Sequence, residues 1–99
     1  MTAPLFIGDP LTAAGYRLAG ARTRLADAAD DPAALLAWAL EQTGLLLLSA
    51  DFAQRLPERE LRAALRHRQT LVVVVPDAGG HATPPDLAAW LRGQLGVGA

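Results

Sequence analysis

The stretch LFIGDPLTAAGYRLAG, residues 5–20, joins an apolar strand to a short helix through an acidic turn. Three large apolar residues at its start predict a buried strand over residues 5–7. Gly8 is conformationally permissive and Pro10 has no N–H, so we expect the strand to end at Ile7. Asp9 is suited to cap a helix and Pro10 to occupy its first position. The stretch therefore predicts a strand that is followed at once by a helix.

The residue pattern of this first helix predicts which side faces the sheet. An apolar stripe at helical spacing is expected to pack inward: Leu11, Ala14, Gly15, Leu18 and Ala19. Glycine in a helix costs about 1 kcal/mol relative to alanine, so we expect Gly15 to permit a close approach of the helix to the sheet. The same placement turns Tyr16 and Arg17 away from the core, with Arg17 facing solvent or a partner.

Strand and helix patterns alternate along the rest of the chain. Further strands are predicted at residues 21–26, 45–48 and 71–75. Helices are predicted to begin after Asp31, after Pro57 and at Pro84, and the second of these is expected to end near His67 or Arg68. Residues 51–56 are expected to form a short turn. The inward residues are predicted to be Leu35, Leu36, Ala39 and Leu40 in one helix and Leu87, Ala88, Leu91 and Leu95 in the last.

Four strands that alternate with four helices predict a doubly wound α/β domain. We expect a four-stranded parallel sheet in the order 2-1-3-4, with helices on both faces, in a single Rossmann-like domain over residues 1–99. This order places the apolar strand 71–75 at an edge of the sheet. Either a partner or the flanking helices with the loop 78–83 would have to cover that edge.

Composition excludes several classes of function. The 99 residues are 52% hydrophobic, which suits one compact domain, and they contain no cysteine for disulfides or a cysteine zinc site. The formal net charge is −1, so there is no positive excess of the kind that nucleic-acid binding usually requires. No apolar run approaches the length of a membrane span and no basic leader precedes one, so we expect a soluble protein without a targeting segment.

The residues offer little catalytic chemistry. Asp9 and Asp51 follow strands at the predicted carboxyl edge of the sheet, where α/β folds bind ligands, and this resembles the acidic pocket of a receiver domain. The chain has no lysine, which such a pocket needs, so helix capping is the preferred interpretation of both carboxylates. Neither a dinucleotide fingerprint nor a phosphate loop is present. His67 and His81 have no third ligand, and Ser49 lacks a nucleophile elbow. We therefore predict no catalytic, cofactor-binding or metal-binding residues.

Two surface features are candidates for partner binding. Arg59, Arg62 and Arg66 fall on one face of the helix after Pro57, and Arg55 would extend this stripe across a mild kink. The stripe could dock an acidic surface or could be an ordinary solvated face with Glu58 and Glu60 nearby. Trp38 and Trp90 lie at the flanks of apolar stripes, where each could pack in the core or anchor an interface.

The opening stretch resembles a family signature. Apolar residues, Gly8-Asp9, a short spacer and then Thr12-x-x-Gly-Tyr-Arg-Leu-Ala-Gly resemble the opening of the F subunit of the V-type (A/V-type) rotary ATPases. Later blocks are similar in order and cover nearly the whole length: residues 45–51, residues 71–76 and Leu95-Gly96-Val97. The sequence departs from the family in using arginine and alanine where lysine and glutamate are usual.

The resemblance implies a non-catalytic central-stalk component of a rotary ATPase or ATP synthase. Such a component would bind the coiled-coil central shaft inside the catalytic A/B hexamer. It would help to couple ATP hydrolysis or synthesis to proton or sodium transport. It would be cytoplasmic, in the soluble sector, and would meet the membrane only through the complex. We expect the partner-binding residues to be Tyr16, Arg17, Arg59, Arg62, Arg66 and Trp90.

Two alternatives come from other classes. A receiver-like signalling domain without phosphoacceptor chemistry would act through protein contacts alone. A small nucleotide-handling enzyme is disfavoured because the phosphate loop is missing. An obligate coiled-coil partner would distinguish the rotor component from the signalling domain.

Overall fold

The computed structural model describes residues 3–78, which form four strands and four helices. The strands are β1 (Leu5–Gly8), β2 (Arg22–Leu25), β3 (Leu45–Ser49) and β4 (Leu71–Val75). The helices are α1 (Pro10–Leu18), α2 (Pro32–Leu40), α3 (Ala50–Arg55) and α4 (Glu58–Leu65). All strand pairs are parallel and the order is β2-β1-β3-β4, which confirms the predicted α/β class and topology. The helix predicted to begin at Pro84 lies outside the described residues.

Several predicted boundaries differ from the structure. β2 is one residue shorter than predicted at each end, and β3 extends one residue further, to Ser49. β1 includes Gly8, because this residue still pairs with Leu25 of β2. Residues 50–55 form the short helix α3 rather than a turn. α4 ends at Leu65, earlier than expected. The imidazole Nδ1 of His67 accepts the backbone N–H groups of Gln69 and Thr70 at 3.3 and 3.1 Å, and these bonds turn the chain toward β4.

The sheet separates two apolar clusters, and β1 contributes to both because its side chains alternate. On one side, Leu5 and Ile7 pack with residues of α2, α3 and α4. On the other side, Phe6 packs with Ala13 and Tyr16 of α1 and with Leu47 and Val75 of the sheet. Among the described helices, α1 therefore covers its side of the sheet without α2, α3 or α4.

The predicted core stripe of α1 is wrong. The helix packs on the sheet through Thr12, Ala13 and Tyr16, while Leu11 is 62% exposed and Leu18 is 91% exposed. Ala14 and Ala19 are also exposed. Gly15 is half-buried and lies off the sheet-facing side, so it does not bring the helix to the sheet.

The buried aromatic pair explains why α1 turns this face inward. The rings of Phe6 and Tyr16 stack with their centroids 5.0 Å apart, and Tyr16 is buried. Each side of α1 carries apolar residues at helical spacing, so the spacing alone does not indicate which side faces the sheet. The Tyr16 ring stacks on Phe6, a contact that the leucines of the other side would not make, and this favours the observed orientation.

The inward residues of α2 are those that the sequence predicts. Leu35, Leu36 and Ala39 are buried and Leu40 packs against them, while Trp38 remains 44% exposed at the flank.

At the edge of the sheet, Leu71 of β4 is exposed and Val73 and Val74 are half-buried. Across residues 3–78, we find no helix with the length and apolar character needed to cross a membrane.

Candidate functional site

The carboxyl edge of the sheet, where β1, β3 and β4 end, brings together Asp9, Ser49, Asp51 and Asp77. Asp9 caps α1, since its Oδ2 accepts the backbone N–H of Thr12 at 2.9 Å, and this confirms the predicted capping role. The expected capping role of Asp51 is wrong. α3 begins directly after β3, so Ser49 is its cap, with Oγ accepting the N–H of Phe52 at 3.1 Å. Asp51 lies in the first turn of α3, where its negative charge interacts favourably with the helix dipole.

The pKa values of Asp9 and Asp77 at this edge are shifted in opposite directions. Burial by itself would raise the pKa of Asp9, but hydrogen bonds from the backbone N–H and hydroxyl of Thr12 outweigh it and lower that pKa. The pKa of Asp77 is raised, first by burial and then by the negative charges of Asp9 and Asp51. One carboxylate oxygen of Asp9 and one of Asp77 are buried without a hydrogen-bond partner within residues 3–78.

Asp77 belongs to this edge although sequence reasoning did not include it. The signal was available, because Asp77 follows β4 as Asp9 follows β1, and parallel strands end at the same edge. The pair nevertheless lacks the lysine that receiver chemistry requires. Among the described residues, no group of three histidine, aspartate or glutamate side chains is placed to hold a metal ion. The observed roles of Asp9 and Ser49 are structural, since both cap helices.

Thr12 links the Asp9 carboxylate to the chain that follows β4. Its hydroxyl supports the Asp9 carboxylate and accepts the backbone N–H of Ala78 at 2.8 Å. Thr12 is fully buried, so both hydrogen bonds satisfy a polar group that would otherwise be costly to bury. These bonds hold the chain after β4 against the first turn of α1.

The predicted arginine stripe is exposed on α4 and at its end. Arg59 and Arg62 lie in the helix and Arg66 is its C-cap residue. Arg62 donates to Glu58 at 2.6 Å, four residues earlier, which is the arrangement of an ordinary helix-surface pair. The structure thus places the three guanidinium groups at the surface, and their role in binding stays a prediction.

Arg55 does not extend the stripe as expected. Leu56 and Pro57 are extended, so α3 and α4 are separate helices rather than one kinked helix. The guanidinium of Arg55 donates to the carbonyls of Asp27 and Asp30 at 3.0 and 3.3 Å and lies 5.7 Å from the centre of the Phe52 ring. It therefore holds the loop before α2 against α3.

The expected outward placement of Tyr16 is also wrong. Its side chain is 1% exposed, and burial raises its pKa to about 12. A partner that approaches the surface does not reach this ring. Arg17 is exposed as predicted, and it donates to the hydroxyl of Thr23 on β2 at 2.8 Å. Trp90 lies outside the described residues.

His67 borders an open groove of about 750 Å³ that is lined by the end of α2 and by the loops that follow α2 and α4. The Nδ1 atom of His67 is occupied by the two backbone N–H groups that it accepts. Glu41 is the acidic residue among the groove's lining residues. His81 lies outside the described residues.

Comparison with models of known protein families shows which family the chain belongs to. The model of a family described as ATP synthase (F/14-kDa) subunit matches residues 5–88, which is most of the chain. The matched region contains the opening stretch 5–20 and all four strands. No curated protein matches the chain.

Proposed function

Because the chain belongs to the family of ATP synthase (F/14-kDa) subunits, we propose that it is a central-stalk component of a rotary V/A-type ATPase. The observation that carries this proposal is the family match over residues 5–88. A member of this family is part of an ATP synthase complex. The proposal adds the position in the rotor, the shaft as partner and a role in coupling ATP hydrolysis or synthesis to proton or sodium transport.

The carboxyl edge supports a non-catalytic role. In an α/β enzyme this edge would carry nucleophiles, bases or a phosphate-binding loop. Here Asp9 and Ser49 cap helices instead. The sequence supplies no lysine to complete a receiver-like pocket, so the signalling alternative has no phosphoacceptor chemistry either.

The distribution of side chains supports a docking role. Two apolar clusters flank the sheet and give a rigid core, while most of the charged residues of the described chain are exposed. Arg17 and the arginine stripe of α4 offer positive charge to an acidic partner. We propose the coiled-coil shaft as the direct partner and the catalytic hexamer as the assembly around both. The chain would then be cytoplasmic and peripheral to the membrane.

Co-expression with the coiled-coil shaft protein tests the proposal. We expect a stable one-to-one complex, measured as the mass of the purified species by light scattering. Reconstitution with the catalytic hexamer should then raise the efficiency with which ATP turnover is coupled to rotation. A chain that stays monomeric beside a folded shaft would overturn the proposal and would favour the signalling alternative.

A further inference from the structure

α1 presents a second apolar side that points away from the sheet. Leu11, Ala14, Gly15 and Leu18 occupy positions i, i+3, i+4 and i+7, and we name this set the α1 outer face. At 100° per residue, its centre lies roughly 200° around the helix from the side formed by Thr12, Ala13 and Tyr16. The fold therefore uses one side of α1 for its core, and the other side is mostly exposed in the part of the chain that the structure describes.

The exposure of this face is unusual for a helix in a folded domain. Leu18 is 91% exposed and Leu11 is 62% exposed, the two highest values among the exposed large hydrophobic residues of the described chain. A single exposed leucine needs no explanation, but two leucines at heptad spacing on one side form a continuous apolar strip. Strips of this kind mark surfaces that become buried in a complex.

The shape of the strip fits another helix. The two leucines are about 10 Å apart along the helix axis, since seven residues separate them. Ala14 and Gly15 lie between them and leave a shallow depression, because neither has a side chain beyond Cβ. A ridge of side chains from a second helix can enter this depression while both leucines pack against its flanks.

The charge beside the strip indicates the character of that helix. Arg17 is the charged residue within α1 and precedes Leu18 in its last turn. It donates to the neutral hydroxyl of Thr23, and within residues 3–78 it makes no ion pair, whereas Arg24 pairs with Asp30 at 3.1 Å. A partner with acidic residues beside its apolar seam would complement this unbalanced positive charge.

We propose that the α1 outer face docks one helix of the coiled-coil shaft, at a stretch where Asp or Glu flanks the apolar seam. This inference rests on the proposed function and assigns the docking surface to α1 rather than to the arginine stripe of α4. The two surfaces lie on opposite sides of the sheet, because α1 belongs to one apolar cluster and α4 to the other. One experiment can therefore separate them.

The first test compares two exposed leucines. Leu18→Glu places a negative charge on the α1 outer face, and Leu65→Glu makes the same change on α4, where the leucine is 48% exposed. Binding to the purified shaft protein is measured by isothermal titration calorimetry. We expect Leu18→Glu to weaken binding at least about tenfold and Leu65→Glu to change it less than about twofold. Circular dichroism confirms that both variants are folded.

Arg17 gives a second, independent measurement. Arg17→Glu should weaken binding to the shaft about threefold or more at low salt, and the loss should shrink as salt is added, because screening reduces the interaction of exposed charges. Arg59→Glu is the matched control on α4 and should have less effect. A larger effect of Arg59→Glu would overturn the assignment to α1.

Thiol labelling locates the contact directly, because the chain has no cysteine of its own. We expect the thiol in Leu18→Cys to react rapidly with a maleimide in the isolated chain and at least about tenfold more slowly in the complex. The thiol in Leu65→Cys should react equally in both. Slow labelling of Leu18→Cys in the isolated monomer would mean that residues 79–99 cover the face, and this would overturn the proposal.

The outcomes distinguish the inference from the function on which it rests. If the unmodified chain does not bind the shaft, the proposed function fails. If the unmodified chain binds the shaft, and the Leu18→Glu and Arg17→Glu variants bind it as tightly as the unmodified chain, the proposed function stands. The α1 outer face is then not the docking surface. A dimer of the chain that Leu18→Glu dissociates would assign this face to self-association and would also overturn the inference.

Discussion

α1 and α2 begin in the same way, but α2 buries leucines and α1 exposes them. Each contains nine residues, starts at a proline and is capped by the preceding aspartate. α2 buries its leucines at 35 and 36, whereas α1 exposes both of its leucines and buries a threonine, an alanine and a tyrosine. A capping signal thus determines where a helix begins but not which side it buries.

The difference arises from the sheet beneath each helix. α2 faces the side that carries Leu5, Ile7, Leu46 and Leu48, where branched aliphatic side chains pack well. α1 faces the side that carries Phe6, where a stacked ring is available for Tyr16. The residue that the sheet offers selects the side of the helix, and the leucines of α1 remain exposed.

The largest expected effect tests this contrast with the same substitution in both helices. Leu36→Ala removes a buried side chain and should lower the free energy of unfolding by about 2–4 kcal/mol, because it leaves a cavity. Leu18→Ala removes an exposed one and should change it by less than about 0.5 kcal/mol. Chemical denaturation measures both. A cost for Leu18→Ala similar to that for Leu36→Ala would mean that α1 packs through its leucines after all.

Much of the fold was predictable from the sequence because local signals and sheet topology agree. Apolar runs located β3 and β4, and Asp-Pro pairs located the starts of α1 and α2. The alternation of strands and helices predicted the order 2-1-3-4. These features depend on neighbouring residues, so one sequence suffices to predict them.

The unpredicted features depend on contacts between distant residues. The inward turn of Tyr16 requires Phe6 on the correct side of β1. The position of Asp77 beside Asp9 requires β4 and β1 to end at one edge. Arg55 lies apart from the arginine stripe of α4 because carbonyls in the loop at residues 27–30 accept its hydrogen bonds. The candidate docking face was missed for the same reason, since its leucines were assigned to the core.

The second-largest expected effect on stability concerns the close packing at Gly8, beside the Phe6 ring. A Cβ built on Gly8 would lie 2.5 Å from the Phe6 ring tip and 2.6 Å from the Ser49 Cβ, closer than real Cβ atoms approach. Gly8→Ala should therefore lower the free energy of unfolding by about 1–3 kcal/mol. Gly44→Ala is the matched control, because nothing lies within 4 Å of its Cβ position, and it should cost less than about 0.5 kcal/mol.

Hydrogen exchange should show where the strain from Gly8→Ala appears. Displacement of Phe6 disturbs the stacked Tyr16 ring and hence the packing of α1. We expect backbone amides of α1 to lose more protection than those of α2, which contacts the opposite side of the sheet. Equal losses in both helices would show that the two sides of the sheet respond as one unit.

The smallest effect compares the two capping aspartates. Asp9 accepts the Thr12 N–H at 2.9 Å in a partly buried site, and Asp31 accepts the Ala33 N–H at 3.2 Å at the surface. Asp9→Ala should cost about 1 kcal/mol of unfolding free energy and Asp31→Ala about 0.5 kcal/mol. Asp9→Asn keeps an acceptor for the N–H, so it should retain most of the stability at neutral pH. Thermal and chemical unfolding provide the measurements.

The pH dependence of the Asp9 effect has a definite sign. The folded state lowers the pKa of Asp9, so its carboxylate contributes stability that is present above the unfolded pKa and is lost as pH falls through the folded pKa. The difference between the unmodified chain and Asp9→Ala should therefore shrink in acid. Asp77 opposes this trend, because its raised pKa makes its charged form unfavourable in the folded state and Asp9 is one cause. Asp9→Ala in an Asp77→Asn background should thus cost more at neutral pH than Asp9→Ala alone, and an equal cost would show that the two carboxylates do not interact.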